Sequence, residues 1–228
     1  MIRKPIKKRN KMGKRHFSKT VSFPVNQVEL RGDIVVPEGA DLLVIHILEE
    51  EHSRFADRLS KLSNALNGKK IATFFLHGLL TEKESQISIN RLDEELLCDR
   101  LISVTEWLKS HELTKDMKFG FVGLSVYADR FLRAGLRLKN QIESFVFIGE
   151  IPPLNIVFCE VPILNIIGAL NSKGVDSNKT TFMKIESPQK KITVIEGSPS
   201  HFEDPQKWNQ VTKTAIDWFS DPQSRVHA

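Results

Sequence analysis

The chain has 228 residues, 40% of them hydrophobic and 27% charged, with a formal net charge of +5 at pH 7. That composition suits one globular domain with a sizeable buried core. Its longest apolar runs, such as Leu42 to Leu48 and Val161 to Leu170, fall well short of the roughly 20 residues that a membrane-spanning helix needs. Cys98 and Cys159 make no C-x-x-C or Cys/His ligand spacing, so a structural zinc site is excluded and a reduced, cytoplasm-like compartment is expected.

The charge is unevenly spread. Residues 1–20 contain Arg3, Lys4, Lys7, Lys8, Arg9, Lys11, Lys14, Arg15 and Lys19 and no acid, so the rest of the chain carries more acids than bases. A block of like charges reads as a solvated, flexible arm. It lacks the apolar stretch of a secretory signal, whereas its richness in Arg and Lys is compatible with organelle import. Cations on such an arm also suit RNA, a ribonucleoprotein or another anionic surface, because they release counterions from phosphate. Residues 1–20 are therefore read as a basic arm and residues 21–228 as one domain.

From Val21 the pattern is of short extended segments, Val21 to Leu30 and Gly32 to Pro37, with turn signals at Arg31-Gly32 and Glu38-Gly39. They predict an antiparallel ribbon. Leu42 to Leu48 is a nearly unbroken apolar run, as expected for a strand buried on both faces. Phe55, Leu59, Leu62, Ala65 and Leu66 then recur at helical spacing up to Asn67-Gly68. Ile71 to Leu76 predicts the next strand, and the loop His77 to Glu82 leads into a long helix from about Asn90 to Ser110. Strands follow at Phe119 to Val122, Ser144 to Ile148, Pro162 to Gly168 and Ile192 to Ile195, and Asp204-Pro205 opens a closing helix that runs to Phe219. Strands alternating with helices imply a mostly parallel α/β sheet covered on both faces.

Ligands of such a sheet collect at the carboxyl ends of its strands. His46, His77, Ser125, Glu150, Asn171 and His201 fall there. The stretch Lys118 to Arg130 carries the sharpest signal. An apolar strand meets Gly123-Leu124-Ser125 and passes into a helical pattern, as in the G-x-S-x-G elbow that lifts a nucleophilic serine above a helix N-terminus. Tyr127 stands at the last glycine position. Ser125 is either a nucleophile or a helix N-cap, and His201, later in the chain as such a triad requires, is either its base or a loop hydrogen-bonder.

Several stretches together resemble the dienelactone hydrolase-like branch of the α/β-hydrolases. Gly32 to Pro37 is similar to an early G-x-L-x-x-P, and Ala72-Thr73 with Leu79-Leu80-Thr81-Glu82 to A-T…D-L-L-T-E, with His77 near the aspartate position. Pro162 to Gly168 resembles A-P-T-L-L-I-V-G, His201 to Pro205 resembles H-x-F-E-E-P, and Asp217-Trp218-Phe219 the closing D-W-F. The resemblance implies a three-layer α/β-hydrolase fold without a large cap domain, acting on a small ester-like substrate and needing no cofactor or metal. It implies Ser125 as nucleophile, His201 as base, Asn171 or Asp176 at the acid position, and backbone N–H groups of Val126 and Ile47 at the oxyanion hole.

The departures cluster on the chemistry. Where the family has H-G-S-G-S-S-R, this chain has His46-Ile47-Leu48-Glu49-Glu50-Glu51. Each oxyanion donor lost costs about 2.7–4 kcal/mol of transition-state stabilisation. Asn171 stands where the family carries its acid, and an amide there can favour the wrong histidine tautomer. Two functions are therefore expected in competition. One is a serine hydrolase of an ester, lactone or thioester with weakened activity. The other is a catalytically inactive hydrolase-fold scaffold or binding protein whose basic arm contacts RNA or a ribonucleoprotein.

Overall fold

A computed structural model of the chain describes residues 16–47, 55–154, 158–170 and 172–221. It divides into two compact units, residues 1–119 and 120–228.

The first unit opens with an antiparallel ribbon of β1 (His16–Val25) and β2 (Val28–Pro37), in register from His16↔Pro37 to Val25↔Val28. The chain reverses at Asn26 and Gln27, with Asn26 at φ 53°, a left-handed conformation that asparagine tolerates. The turn expected at Arg31-Gly32 is absent. Gly32 lies inside β2 because the Phe74 ring crosses it: a Cβ there would sit 2.4 Å from Phe74 Cζ. The glycine marks close packing within a strand rather than a reversal. β1 also begins at His16, so residues 16–20, read as part of the arm, are strand.

Within this unit the strand order is β1-β2-β4-β3, with β4 (Ala72–Leu76) antiparallel to β2 and parallel to β3 (Leu42–Ile47). Every residue of β3 is buried, as its apolar run requires. Phe23, Phe74 and Trp107 pack together, with Phe23 and Trp107 stacked at 4.4 Å, so α4 (Glu94–Ser110) covers that face. On the other face Ser63 of α1 (Ala56–Gly68) reaches His46. The long helix expected from Asn90 is interrupted. Thr81 caps the short α2 (Glu82–Ser85), α3 (Ser88–Leu92) follows, and Asp93 restarts the chain by accepting the Leu96 N–H. An aspartate offers a helix more at its N-cap than in its interior. Arg100 of α4 ties the helices together through Glu84, at 2.6 Å.

In the second unit β5 (Lys118–Leu124), whose first two residues close the first unit, is followed in sheet order by β6 (Ile142–Ile148), β7 (Ile163–Gly168) and β8 (Lys190–Ile195). β6, β7 and β8 are parallel. Phe121, Phe131, Phe145 and Phe147 form its aromatic centre, with ring centroids 5.3–6.1 Å apart. Side chains alternate along β7. Asn165 meets α6 (Ser172–Met183) on the face that α5 (Ala128–Leu138) also covers, and Leu164 turns to the opposite face, under α7 (Pro205–Ser220). Helices thus cover both faces, as the strand and helix alternation implied. Asp204 caps α7 as expected, accepting the Gln206 N–H at 2.7 Å. The sequence pattern gave no sign of α6, whose polar residues leave little apolar stripe.

Candidate functional site

The carboxyl ends of β5 to β8 gather the residues from which chemistry was expected. β5 ends at Leu124, and Ser125–Tyr127 form one 3₁₀ turn before α5. Ser125 is 1% exposed. Its hydroxyl donates to the Gly149 carbonyl at 2.7 Å and lies 3.3 Å from Asn165 Oδ1. A hydroxyl has one proton, so the shorter, buried contact to Gly149 holds it. Gly149 directs its carbonyl there from φ 106°, a conformation open to glycine. The network continues inward: Asn165 Nδ2 donates to Asn178 Oδ1 at 2.7 Å, and Asn178 Nδ2 points to the Ile151 carbonyl at 3.5 Å. Asn165 and Asn178 are 0% and 2% exposed. The chain therefore closes a buried corner in which the Ser125 hydroxyl and the Asn165 and Asn178 amide N–H groups each find an acceptor.

A nucleophile elbow is a strained turn. Here the strain lies elsewhere. Among the described residues, the non-glycine positions with positive φ are Asn26, Lys70, Lys139 and Phe202, and Ser125 is not one of them. Phe202, at φ 49° and fully buried, is the strained residue of this corner, immediately after His201. Tyr127 is 3% exposed and packs near Phe131, at 6.5 Å between ring centroids, so the missing glycine of the motif is a core side chain.

His201 is exposed in the turn after β8 and is not a hydrogen-bond partner of Ser125. Asp176 is exposed on α6. Asn171 lies outside the described residues. Val126 is half-exposed next to Ser125, and Ile47, at the end of β3, is buried. Arg3, Lys4, Lys7, Lys8, Arg9, Lys11, Lys14 and Arg15, and the glutamates Glu49 to Glu51, also lie outside the described residues. Ser200 donates to Glu150 across the loops after β8 and β6. Asn165 and Asn178, which hold the corner together, were not foreseen. The available signal was Asn165 itself, a polar residue alone inside the apolar run Ile163–Gly168.

The two strand-end histidines of the first unit take structural roles. His46 is fully buried, with Nε2 3.4 Å from Ser63 Oγ, and burial pushes its imidazole down to about 3. His77 Nε2 pairs with Asp33 at 2.9 Å on a half-exposed surface, and Thr20 donates to the other Asp33 oxygen at 2.6 Å. Burial pushes the Cys159 thiol up to about 11, which makes it a poor nucleophile. No cluster of three metal-ligating side chains occurs among the described residues, and none of their helices is long and apolar enough to cross a membrane.

Strands, helices and corner together define the chain as an α/β-hydrolase fold. A dienelactone hydrolase from Anabaena variabilis superposes with a TM-score of 0.81 at 26% identity, covering 90% of this chain and 97% of that one. A Klebsiella pneumoniae structure named "putative dienelactone hydrolase" gives 0.66 at 13% identity, over 90% and 99%. The fold is thus that of the dienelactone hydrolase-like α/β-hydrolases. In sequence it is 32% identical over 205 residues to a Mycobacterium tuberculosis protein named "putative phosphoribosyl transferase", a match covering 88% of this chain and 46% of that protein. The chain spans about half the length of that relative. No protein-family model matches the sequence.

Proposed function

We propose that the chain is a binding or scaffold protein built on the hydrolase fold, in which Ser125 holds structure and does not attack a carbonyl. The Ser125 hydroxyl carries this reading: it is 1% exposed and its proton rests on the Gly149 carbonyl. Nucleophilic catalysis needs that proton directed at a base and the oxygen open to an incoming carbonyl carbon. A backbone carbonyl is not a base at neutral pH, and freeing the hydroxyl leaves a buried acceptor without its donor. The turn at Ser125, which lacks the positive φ of a strained corner, supports the same reading.

A fluorophosphonate probe tests it directly. No adduct is expected on Ser125 of the folded chain. Stoichiometric labelling, lost in Ser125→Ala, would restore the competing reading of a serine hydrolase of an ester, lactone or thioester with His201 as base. The transferase name of the mycobacterial relative does not carry over, since this chain matches less than half of that protein.

The basic arm supplies the partner in this reading. Its eight cations in residues 1–15, without an acid, favour RNA or a ribonucleoprotein. Deleting residues 1–15, which leaves β1 intact, is expected to weaken RNA binding and flatten its salt dependence. Gel-shift titrations at stepped salt measure both, and identical curves for the two chains would count against the arm.

A further inference from the structure

We propose that the groove between β8 and α7 binds a small organic anion with a flat apolar body. In the β7–β8 register Leu164 sits beside Lys191, and Ile166 beside Thr193. Lys191 and Thr193 are two residues apart on a strand and share the face that Leu164 occupies. Thr214, Asp217 and Trp218 lie at positions i, i+3 and i+4 of α7, one stripe of the helix, and oppose them. Together these six residues line a half-open groove of about 350 Å³. Leu164 and Trp218, 1% and 3% exposed, make its apolar floor.

The polar groups of the rim divide in two. Those on α7 are occupied: Asp217 takes Lys213 Nζ at 2.7 Å, and the Thr214 hydroxyl donates to the Gln210 carbonyl at 2.9 Å. Those on β8 are open. Lys191 and Thr193 are half-buried and make no side-chain hydrogen bond or ion pair with any described residue. With Asp217 neutralised by Lys213, the uncompensated charge at the rim is the Lys191 ammonium. An ammonium offers three donors and no acceptor, and a threonine hydroxyl adds another donor, so the complementary group is an anionic oxygen. The indole and leucine floor takes a flat ring. A volume near the lower end of small-molecule sites limits the body to one or two rings. Neither Ser125 nor the basic arm is involved, so this site stands independently of the function proposed above.

The test is calorimetric titration of the full chain with 2-naphthoate and with 2-naphthamide, which has the same ring and no charge. The naphthoate is expected to bind about tenfold more tightly, the effect of a hydrogen bond to a charged group. Lys191→Gln should remove that preference while leaving naphthamide binding unchanged, and Thr193→Val should weaken the naphthoate by a smaller factor. Lys191 is a half-exposed strand residue without an internal partner, so its variant keeps the fold, which a matching melting temperature verifies. Equal affinities for the two probes, no binding of naphthoate at millimolar concentration, or naphthoate binding unaffected by Lys191→Gln would each overturn the assignment.

Discussion

Two buried polar positions, one in each unit, meet the same physical demand in opposite ways. His46 is fully buried, with one long contact to Ser63 and no hydrogen bond at Nδ1. Ser125, Asn165 and Asn178 are as deeply buried, yet Ser125 donates to the Gly149 carbonyl and Asn165 donates to Asn178. The first position holds a group that can acquire charge; the second holds groups that stay neutral across physiological pH. Burial alone therefore does not say whether a polar site is poised for chemistry. What matters is whether its protons already have partners, and at Ser125 they do.

The largest expected effect separates the two positions by pH. An unfolded histidine titrates near 6.5, and burial pushes His46 down to about 3. Above pH 6.5 the ring is neutral in both states and adds no pH dependence. As pH falls from 6.5 toward 3, the unfolded chain binds a proton that the fold refuses, so stability declines. Between pH 6.5 and 4.5 the loss is about 2 kcal/mol. Urea midpoints at stepped pH should show it, and His46→Leu should remove that part of the slope. A slope unchanged in the variant would mean that His46 is not the group responsible.

A smaller effect probes the closed network. Asn165→Leu removes the donor to Asn178 and leaves a buried amide oxygen unmatched, at a cost of about 2 kcal/mol. The double variant Asn165→Leu/Asn178→Leu should cost less than the sum of its single changes, because removing both partners leaves fewer orphaned groups. Denaturant midpoints of the four chains measure this coupling, and strict additivity would show that the two amides act separately.

Much of the fold was legible in the sequence. The apolar runs of β3, β4, β6 and β7 and the Asp-Pro start of α7 announce themselves, because strands buried on both faces tolerate few polar residues and caps have side-chain signatures. The misplaced turn shows the limit. Gly32 reads as a reversal locally, while its cause is the distant Phe74 ring. The break at Asp93 has a similar origin: the leucine stripe continues through it, but the capping hydrogen bond decides. For the site, the sequence located the strand-to-helix corner at Ser125. It did not disclose that the hydroxyl faces inward, since that depends on a Gly149 carbonyl and an Asn165 amide brought together from two other strands.

Tyr127 also constrains the routes open to this sequence. Restoring the G-x-S-x-G motif takes one substitution on paper, Tyr127→Gly. That change would empty a site that is 3% exposed and packed near Phe131, and losing a large buried aromatic side chain costs about 3–5 kcal/mol. A domain's whole margin is about 5–15 kcal/mol. The serine would still be hydrogen-bonded to Gly149, so the intermediate would carry the full destabilisation and no new reactivity. Under the scaffold reading proposed above, an elbow would need coordinated changes at several positions, so the step at Tyr127 would act as an evolutionary ratchet.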